Sequence, residues 1–353
     1  MRLRFAPLAT MLVTLLACSG EVESPSPDGD AAAEAGADAG ADAGADAGAD
    51  AGADADADAG ADAGADAAAP PASVAPGTWA FSLRNGAYPN SGHPDAAVHL
   101  PPGLRAEERL GAIVFFHGFS NCVINVLGSV DTACTPGSPV RSAMHLSDQL
   151  DAAKVNALLV AIELKYDQAT GDPGALSQSG RLSDLLHELL VEHLSPLVGR
   201  SLDVGSLERV VVGSHSGGYW ATATALSVGG VPQISEVDLY DSLYGSTSTY
   251  DAWMQGGIAR FSLARADELR WADVYTSGGG TAASSTAMES RAAGWLASAG
   301  LSTSLYFDDT TATLPTSADP HPVLFKRTGV THDQVPQTYF GRFAEQAGFL
   351  PLP

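Results

Sequence analysis

Basic residues are scarce in this sequence: 18 Lys and Arg stand against 41 Asp and Glu over 353 residues, a formal charge of −23. That balance argues against a nucleic-acid binder, because phosphate binding draws most of its affinity from clustered cations. Cysteine is nearly absent, with three in the chain. The two in the body, Cys122 and Cys134, have no His pair nearby, so a cysteine-based metal site is not expected. Long apolar runs are missing too. The stretch from Phe5 to Ala17, apolar apart from Thr10 and Thr14, falls short of the about 20 residues a spanning helix needs. Residues 21–76 contain no Lys or Arg but hold 14 acids, and Ala31 to Ala67 lacks every aromatic, every β-branched residue and every apolar side chain larger than Ala. Residues 77–353 carry 27 acids and 16 bases, a mild net charge of −11 that places no strong demand on substrate charge. The chain therefore divides into a basic apolar start, an acidic low-complexity stretch and an ordinary globular body.

Arg2 and Arg4 followed by the apolar run make an export signal. The run ends in Leu15-Leu16-Ala17-Cys18, which resembles the lipobox of bacterial lipoproteins. The resemblance implies that residues 1–17 are removed and that Cys18 becomes the lipidated first residue, a membrane anchor of several acyl chains where one chain is only marginal. Within the same resemblance, Ser19 in place of Asp points to the outer membrane or cell surface rather than the inner membrane. A plain signal peptide with an incidental Cys is the alternative, and it makes the protein secreted.

Residues 18–76 read as a disordered linker. The Ala-Asp-Ala-Gly repeat offers nothing to offset the entropy of ordering it, and its Gly and closely spaced Asp residues oppose a helix. A calcium-binding β-roll needs a large apolar residue in each repeat, and none is present. As a flexible coil its root-mean-square reach is about 40 Å.

Residues 77–353 read as one α/β domain with a mostly parallel central sheet flanked by helices. Apolar runs at Gly111–Phe116, Ala157–Leu164, Arg209–Val212, Val237–Tyr240 and Trp271–Tyr275 predict buried strands. Helical patterns fall at Val140–Ala153, Gly180–Leu194, Tyr219–Leu226, Thr286–Ala299 and Gln337–Ala347. Trp79–Leu83 and Ala96–Leu100 predict a leading antiparallel hairpin, and Ser246–Gly257, with no helical period, predicts an extended cap segment. In an exported chain Cys122 and Cys134, 12 residues apart, suggest a disulfide, with two separate buried thiols as the alternative.

The most informative segment is Arg209-Val-Val-Val-Gly-Ser-His-Ser216-Gly-Gly-Tyr-Trp, a strand that turns directly into a helix. Its Ser214-His215-Ser216-Gly217-Gly218 core resembles the nucleophile elbow of α/β-hydrolases, with Ser214 in place of the first Gly. Small residues are required two before and two after the nucleophile, because strand and helix approach closely there. Ser214 fails as nucleophile, since Val212 would occupy its preceding small position. Upstream, Ile113-Val-Phe-Phe-His117-Gly118-Phe119-Ser120 resembles the oxyanion-hole loop of the same family. Together the two motifs imply an α/β-hydrolase fold over nearly all of 77–353. They also imply an oxyanion hole made by the N–H groups of Phe119 and Gly217 and a structural His117; the Cys122–Cys134 bridge suggested by spacing and compartment would sit just beyond and brace that loop.

The family order of serine, acid and histidine leaves two candidate bases, His321 and His332. His332 follows the strand-like Val323–Val330 and precedes a terminal helix, where the family places its base. The loop after the seventh strand, Ser277-Gly-Gly-Gly-Thr-Ala-Ala, contains no carboxylate and so departs from the usual position of the acid. Asp241, at the end of the preceding strand, is the expected acid. Asp308 or Asp309, after Ser304–Phe307, is the fallback, and mid-strand Asp238 reads as structural. The implied chemistry is acyl transfer through a Ser216 acyl-enzyme with no cofactor or metal, on a small-molecule or polymer ester. Tyr219, Trp220, Tyr240, Tyr244 and Trp253 could line its pocket or simply pack the core. A serine peptidase or amidase, and a catalytically silent surface-binding module, are the other classes the sequence admits.

Overall fold

Period-two alternation divides each central strand between two apolar layers. In β3 (Leu110–Phe116) Ala112, Val114 and Phe116 face one layer while Ile113 and Phe115 face the other. In β4 (Ala157–Ile162) Leu158, Val160 and Ile162 oppose Ala157, Leu159 and Ala161 in the same way. A strand apolar on both faces needs cover on both sides, and helices supply it. The computed structural model describes residues 75–353 apart from 168–170, 264–267 and 310. The expected export signal at 1–17, Cys18 and all but the last two residues of the expected linker lie outside the described residues.

The nine strands form one sheet in the order β1-β2-β4-β3-β5-β6-β7-β9-β8. The remaining members are β1 (Gly77–Phe81), β2 (Ala96–Leu100), β5 (Leu207–His215), β6 (Ile234–Tyr240), β7 (Arg270–Thr276), β8 (Leu305–Asp308) and β9 (Val323–Thr328). The leading hairpin forms as its pattern predicts, β1 against β2, and β2 continues antiparallel onto β4. Every other pairing is parallel, so the sheet is mostly parallel with helices on both faces, the architecture that the two motifs imply. One face carries α1 (Val123–Leu127), α2 (Leu146–Ala153) and α8 (Gln334–Gln346). The other carries α3 (Arg181–Glu188), α5 (Tyr219–Val228), α6 (Thr247–Gly256) and α7 (Ala282–Ser298). Among the described residues no helix is long and apolar enough to cross a membrane.

Three elements depart from the sequence pattern. Ser246–Gly257 is helical rather than extended, because Tyr250 and Met254, four apart, anchor α6 in the core. The helix expected from Val140 starts at Leu146; before it the chain is held by a bridge between Thr132 and Arg141. The helix expected to end at Leu194 runs on through a π-helical turn, Leu189–Leu194, into α4 (Ser195–Val198). Pro196 lacks the N–H that an α-helical register would require, and the wider turn, with Ser195 N–H bonded to Leu190 O, accommodates it.

At the outer edge Lys326 of β9 is fully buried and donates to the Asp308 carboxylate at 2.9 Å and to the Thr311 carbonyl at 2.9 Å. Removing one partner of a buried pair strands the other charge. Asp308→Ala should therefore lower unfolding free energy by about 3 kcal/mol in urea titrations. The double change Asp308→Leu with Lys326→Met should recover most of that loss.

Candidate active site

Because β3, β5, β6, β7 and β9 are parallel neighbours, their C-terminal ends fall on one edge of the sheet, where such folds gather their sites. Each end contributes to one cluster: His117–Phe119 after β3, Ser216 after β5, Asp241 after β6, Thr276 closing β7, and His332 after β9.

Ser216 sits in the left-handed region at φ +53, in a 3-10 turn that leads straight into α5. A non-glycine residue there is strained and persists only when its surroundings over-determine it. They do so here. A Cβ on Gly218 would lie 2.4 Å from the Phe116 carbonyl oxygen, and one on Gly118 would lie 2.7 Å from Ser216 Cβ. Glycine at both positions is thus a steric requirement of the close approach. Ser214, where the family pattern has Gly, is buried and makes a 2.8 Å bond to the Ser242 hydroxyl, which donates at 2.8 Å to the Ser216 carbonyl. The substitution adds a hydroxyl relay that grips the turn from below.

Asp241 is completely buried, also at positive φ (+50). Its Oδ2 accepts from His332 Nδ1 at 2.7 Å and from the Thr276 hydroxyl at 2.7 Å. Its Oδ1 accepts from the Thr276 N–H at 3.1 Å and from the Thr281 hydroxyl. Burial alone pushes this carboxyl upward, but the bonds from His332, Thr281 and Thr276 win and hold it at about 2. The glycine loop without a carboxylate has a role after all. A Cβ on Gly279 would come within 2.8 Å of Thr276 Oγ1 and 3.2 Å of Asp241 Oδ2, so the small residue leaves room for an acid reaching over from the neighbouring strand.

The other candidates lie elsewhere. Asp308 is committed to Lys326 at the edge strand, and Asp309 is exposed. Asp238 is buried within β6, where burial and then Glu236 drive its carboxyl well above 3.8. His321 precedes the first residue of β9, a strand's length from the edge that carries His332, and packs beside Tyr306.

Ser216 and His332 line a cavity of about 110 Å³ together with Gly118, Phe119, Arg141 and His215. Among the described residues no hydrogen bond joins Ser216 Oγ to His332 Nε2; such bonds are often long before substrate arrives. Gly217 N–H opens the helical turn that begins at Ser216, and opening N–H groups have no partner within a helix. Phe119 lies on the wall opposite, half exposed, under the Arg141 guanidinium at 5.4 Å. The loop beyond is braced by the Cys122–Cys134 disulfide. His117 does not face the pocket. Its Nδ1–H donates to Gly118 O at 2.8 Å and its Nε2 accepts from Leu164 N–H at 2.8 Å, so both ring nitrogens hold backbone.

Nothing in the sequence by itself marks Ser242, Thr276, Thr281 or His215 as members of the site. Hydroxyl residues at strand ends are common, and only the Gly run at 278–280 hinted at a close approach. Of the five aromatics considered for a pocket, Tyr240 is core and Trp253 packs against the opposite layer. Tyr244 does reach the site: its hydroxyl meets the Ser216 side chain, and its ring stands edge-on to His332 at 6.3 Å.

No protein-family model matches the sequence, and no curated protein matches it. Solved structures similar to this chain include a feruloyl esterase module from Clostridium thermocellum, 12% identical over 81% of this chain and 92% of that one, TM-score 0.47. An esterase from Pyrobaculum calidifontis is 14% identical over 77% and 83%, TM-score 0.38. An acylaminoacyl peptidase from Pyrococcus horikoshii is 12% identical over 77% of this chain and 40% of its own, TM-score 0.37. Likenesses at this level assign no substrate.

Asp241→Asn is expected to keep the fold near neutral pH and to lower kcat on the order of 10³–10⁴-fold, because the amide leaves His332 wrongly oriented. A carboxyl held below its ordinary 3.8 adds stability above that pH and loses it as pH falls toward about 2. The stability gap between parent and variant, followed by urea titration, should narrow by about 2 kcal/mol across that acid window.

Proposed function

We propose that the protein is an exported serine hydrolase that cleaves carboxylic esters through an acyl-enzyme on Ser216. The observation that carries this reading is the fully buried Asp241 carboxylate 2.7 Å from His332 Nδ1, with His332 lining the same small cavity as a serine on a strained strand–helix turn. Acting as base, His332 Nε2 takes the Ser216 proton as Oγ attacks the carbonyl carbon, while Asp241 holds the ring and stabilises its positive form. The N–H groups of Phe119 and Gly217 receive the oxyanion, donors of a kind often worth about 3 kcal/mol each. His332 then protonates the departing alcohol, and deacylation by water runs through the same groups. Esters make the smaller demand on this machinery, since an alcohol leaves more readily than an amine.

Ser216→Ala should abolish hydrolysis of p-nitrophenyl acetate and labelling by a fluorophosphonate probe, and His332→Ala should abolish both as well. Turnover of peptide amides at rates matching esters would move the assignment to a peptidase. Parent protein that takes no label would leave a binding module.

The same reading places the catalytic body at the cell envelope, held by lipid on Cys18 and set off from the membrane by residues 19–76. Expressed in a bacterium with lipoprotein processing, the parent should fractionate with membranes and incorporate labelled palmitate. Cys18→Ala should do neither and should keep its specific activity.

A further inference from the structure

Beside the nucleophile lies a second histidine with no part in the acyl-transfer scheme. His215 is buried, its ring packs on that of His332 at 4.4 Å between centroids, and its Nε2 lies 3.1 Å from the His332 carbonyl oxygen. A carbonyl only accepts, so Nε2 carries the hydrogen and Nδ1 carries a lone pair. That Nδ1 is buried and has no hydrogen-bond partner. His332 is fixed in the complementary way: Nδ1–H donates to Asp241, which leaves the lone pair on Nε2.

Two imidazoles, each with one ring nitrogen tied to a carbonyl or carboxylate, reproduce the outer support that orients histidine ligands in metal sites. Asp333 adds an anionic oxygen from the exposed start of α8. One ligand atom from each of His215, His332 and Asp333 lies within 4.8 Å of the other two, and all three residues line the cavity that holds Ser216. We propose that these three residues bind one divalent transition-metal ion, with Zn²⁺ as the type case, and that the bound ion silences the catalytic base. Two nitrogens and one carboxylate oxygen suit a tetrahedral Zn²⁺ with water in the fourth place. Bonds of about 2.0–2.1 Å require donors about 3.3 Å apart. The three donors lie within 4.8 Å of one another, and Asp333, exposed, is free to move toward the two histidines. Arg141 is the opposing cation on the cavity wall, and the carboxylates of Asp241 and Asp333 offset it. The consequence follows from one lone pair. His332 Nε2 cannot accept the Ser216 proton while it holds a metal.

Binding rests on the geometry alone, while inhibition rests also on the hydrolase reading, and the experiment separates the two. Zn²⁺ is titrated into the full-length protein by calorimetry, in parent, Asp333→Asn and His215→Phe. p-Nitrophenyl acetate turnover is followed in parallel, with each variant compared with its own metal-free rate and with recovery by a chelator. The acidic linker is identical in all three and contributes equally. The expected result is one site per chain whose affinity falls about tenfold or more in each variant, with chelator-reversible inhibition following occupancy. Equal affinity in the three proteins, or turnover unaffected at full occupancy, overturns the proposal. A parent that neither turns over ester nor labels at Ser216, yet binds Zn²⁺ with the expected dependence on Asp333 and His215, overturns the hydrolase reading and upholds the binding site.

Discussion

The carboxylate of Asp241 is the constraint on which the site depends. It stands at the end of β6, and its partners come from three other places: Thr276 closing β7, Thr281 at the entrance of α7, and His332 in the turn after β9. An ionised carboxyl without solvent is costly, so it must be surrounded by donors, and those donors are thereby fixed in position. The same bonds that hold the acid at about 2 hold three separate segments against one another and set the tautomer of the histidine. Stability and the orientation of His332 are one interaction here.

Steric closeness does comparable work on the serine side. Ser216 keeps a left-handed backbone because β3 and β5 end side by side and leave no space for a Cβ at Gly118 or Gly218. The Ser214–Ser242 relay ties the turn to the residue next to Asp241, so nucleophile and acid are braced through adjacent strand ends. On the far side, His117 joins Gly118 to Leu164, and Glu163 accepts from the Val123 N–H at 2.9 Å. The loop facing the nucleophile is held at its base by these bonds and farther out by the disulfide. A rigid frame of this kind suits a cavity whose donors must be in place before charge develops.

Much of the frame was legible in the sequence because central parallel strands are apolar on both faces and leave an unmistakable run. Serine at 216 was legible because a tight strand–helix turn demands small neighbours in known places. Helix α6 was not, since only Tyr250 and Met254 of its ten residues are buried, too few to impose a visible period. The start of α2 was misplaced for the opposite reason: Val140, Ala143 and Met144 continue the pattern, but the chain is pinned by Thr132 opposite Arg141. His215 carries no local signal of its position, because its contact with the His332 carbonyl spans 117 residues of sequence.

Local chemistry in the sequence determined the division of the chain by charge and composition and the strand–turn–helix carrying Ser216. Those features depend on neighbours a few residues apart, and short-range sterics and periodicity are enough to read them. Tertiary structure decided which acid meets the base. Asp241 and His332 are 91 residues apart, and what joins them is the adjacency of β6, β7 and β9 together with the space left by Gly279. It also decided that Asp308 belongs to Lys326, because the pairing of β8 on β9 sets those two side chains opposite each other at the far edge. Strand order is a property of the packed sheet, and no window of sequence contains it.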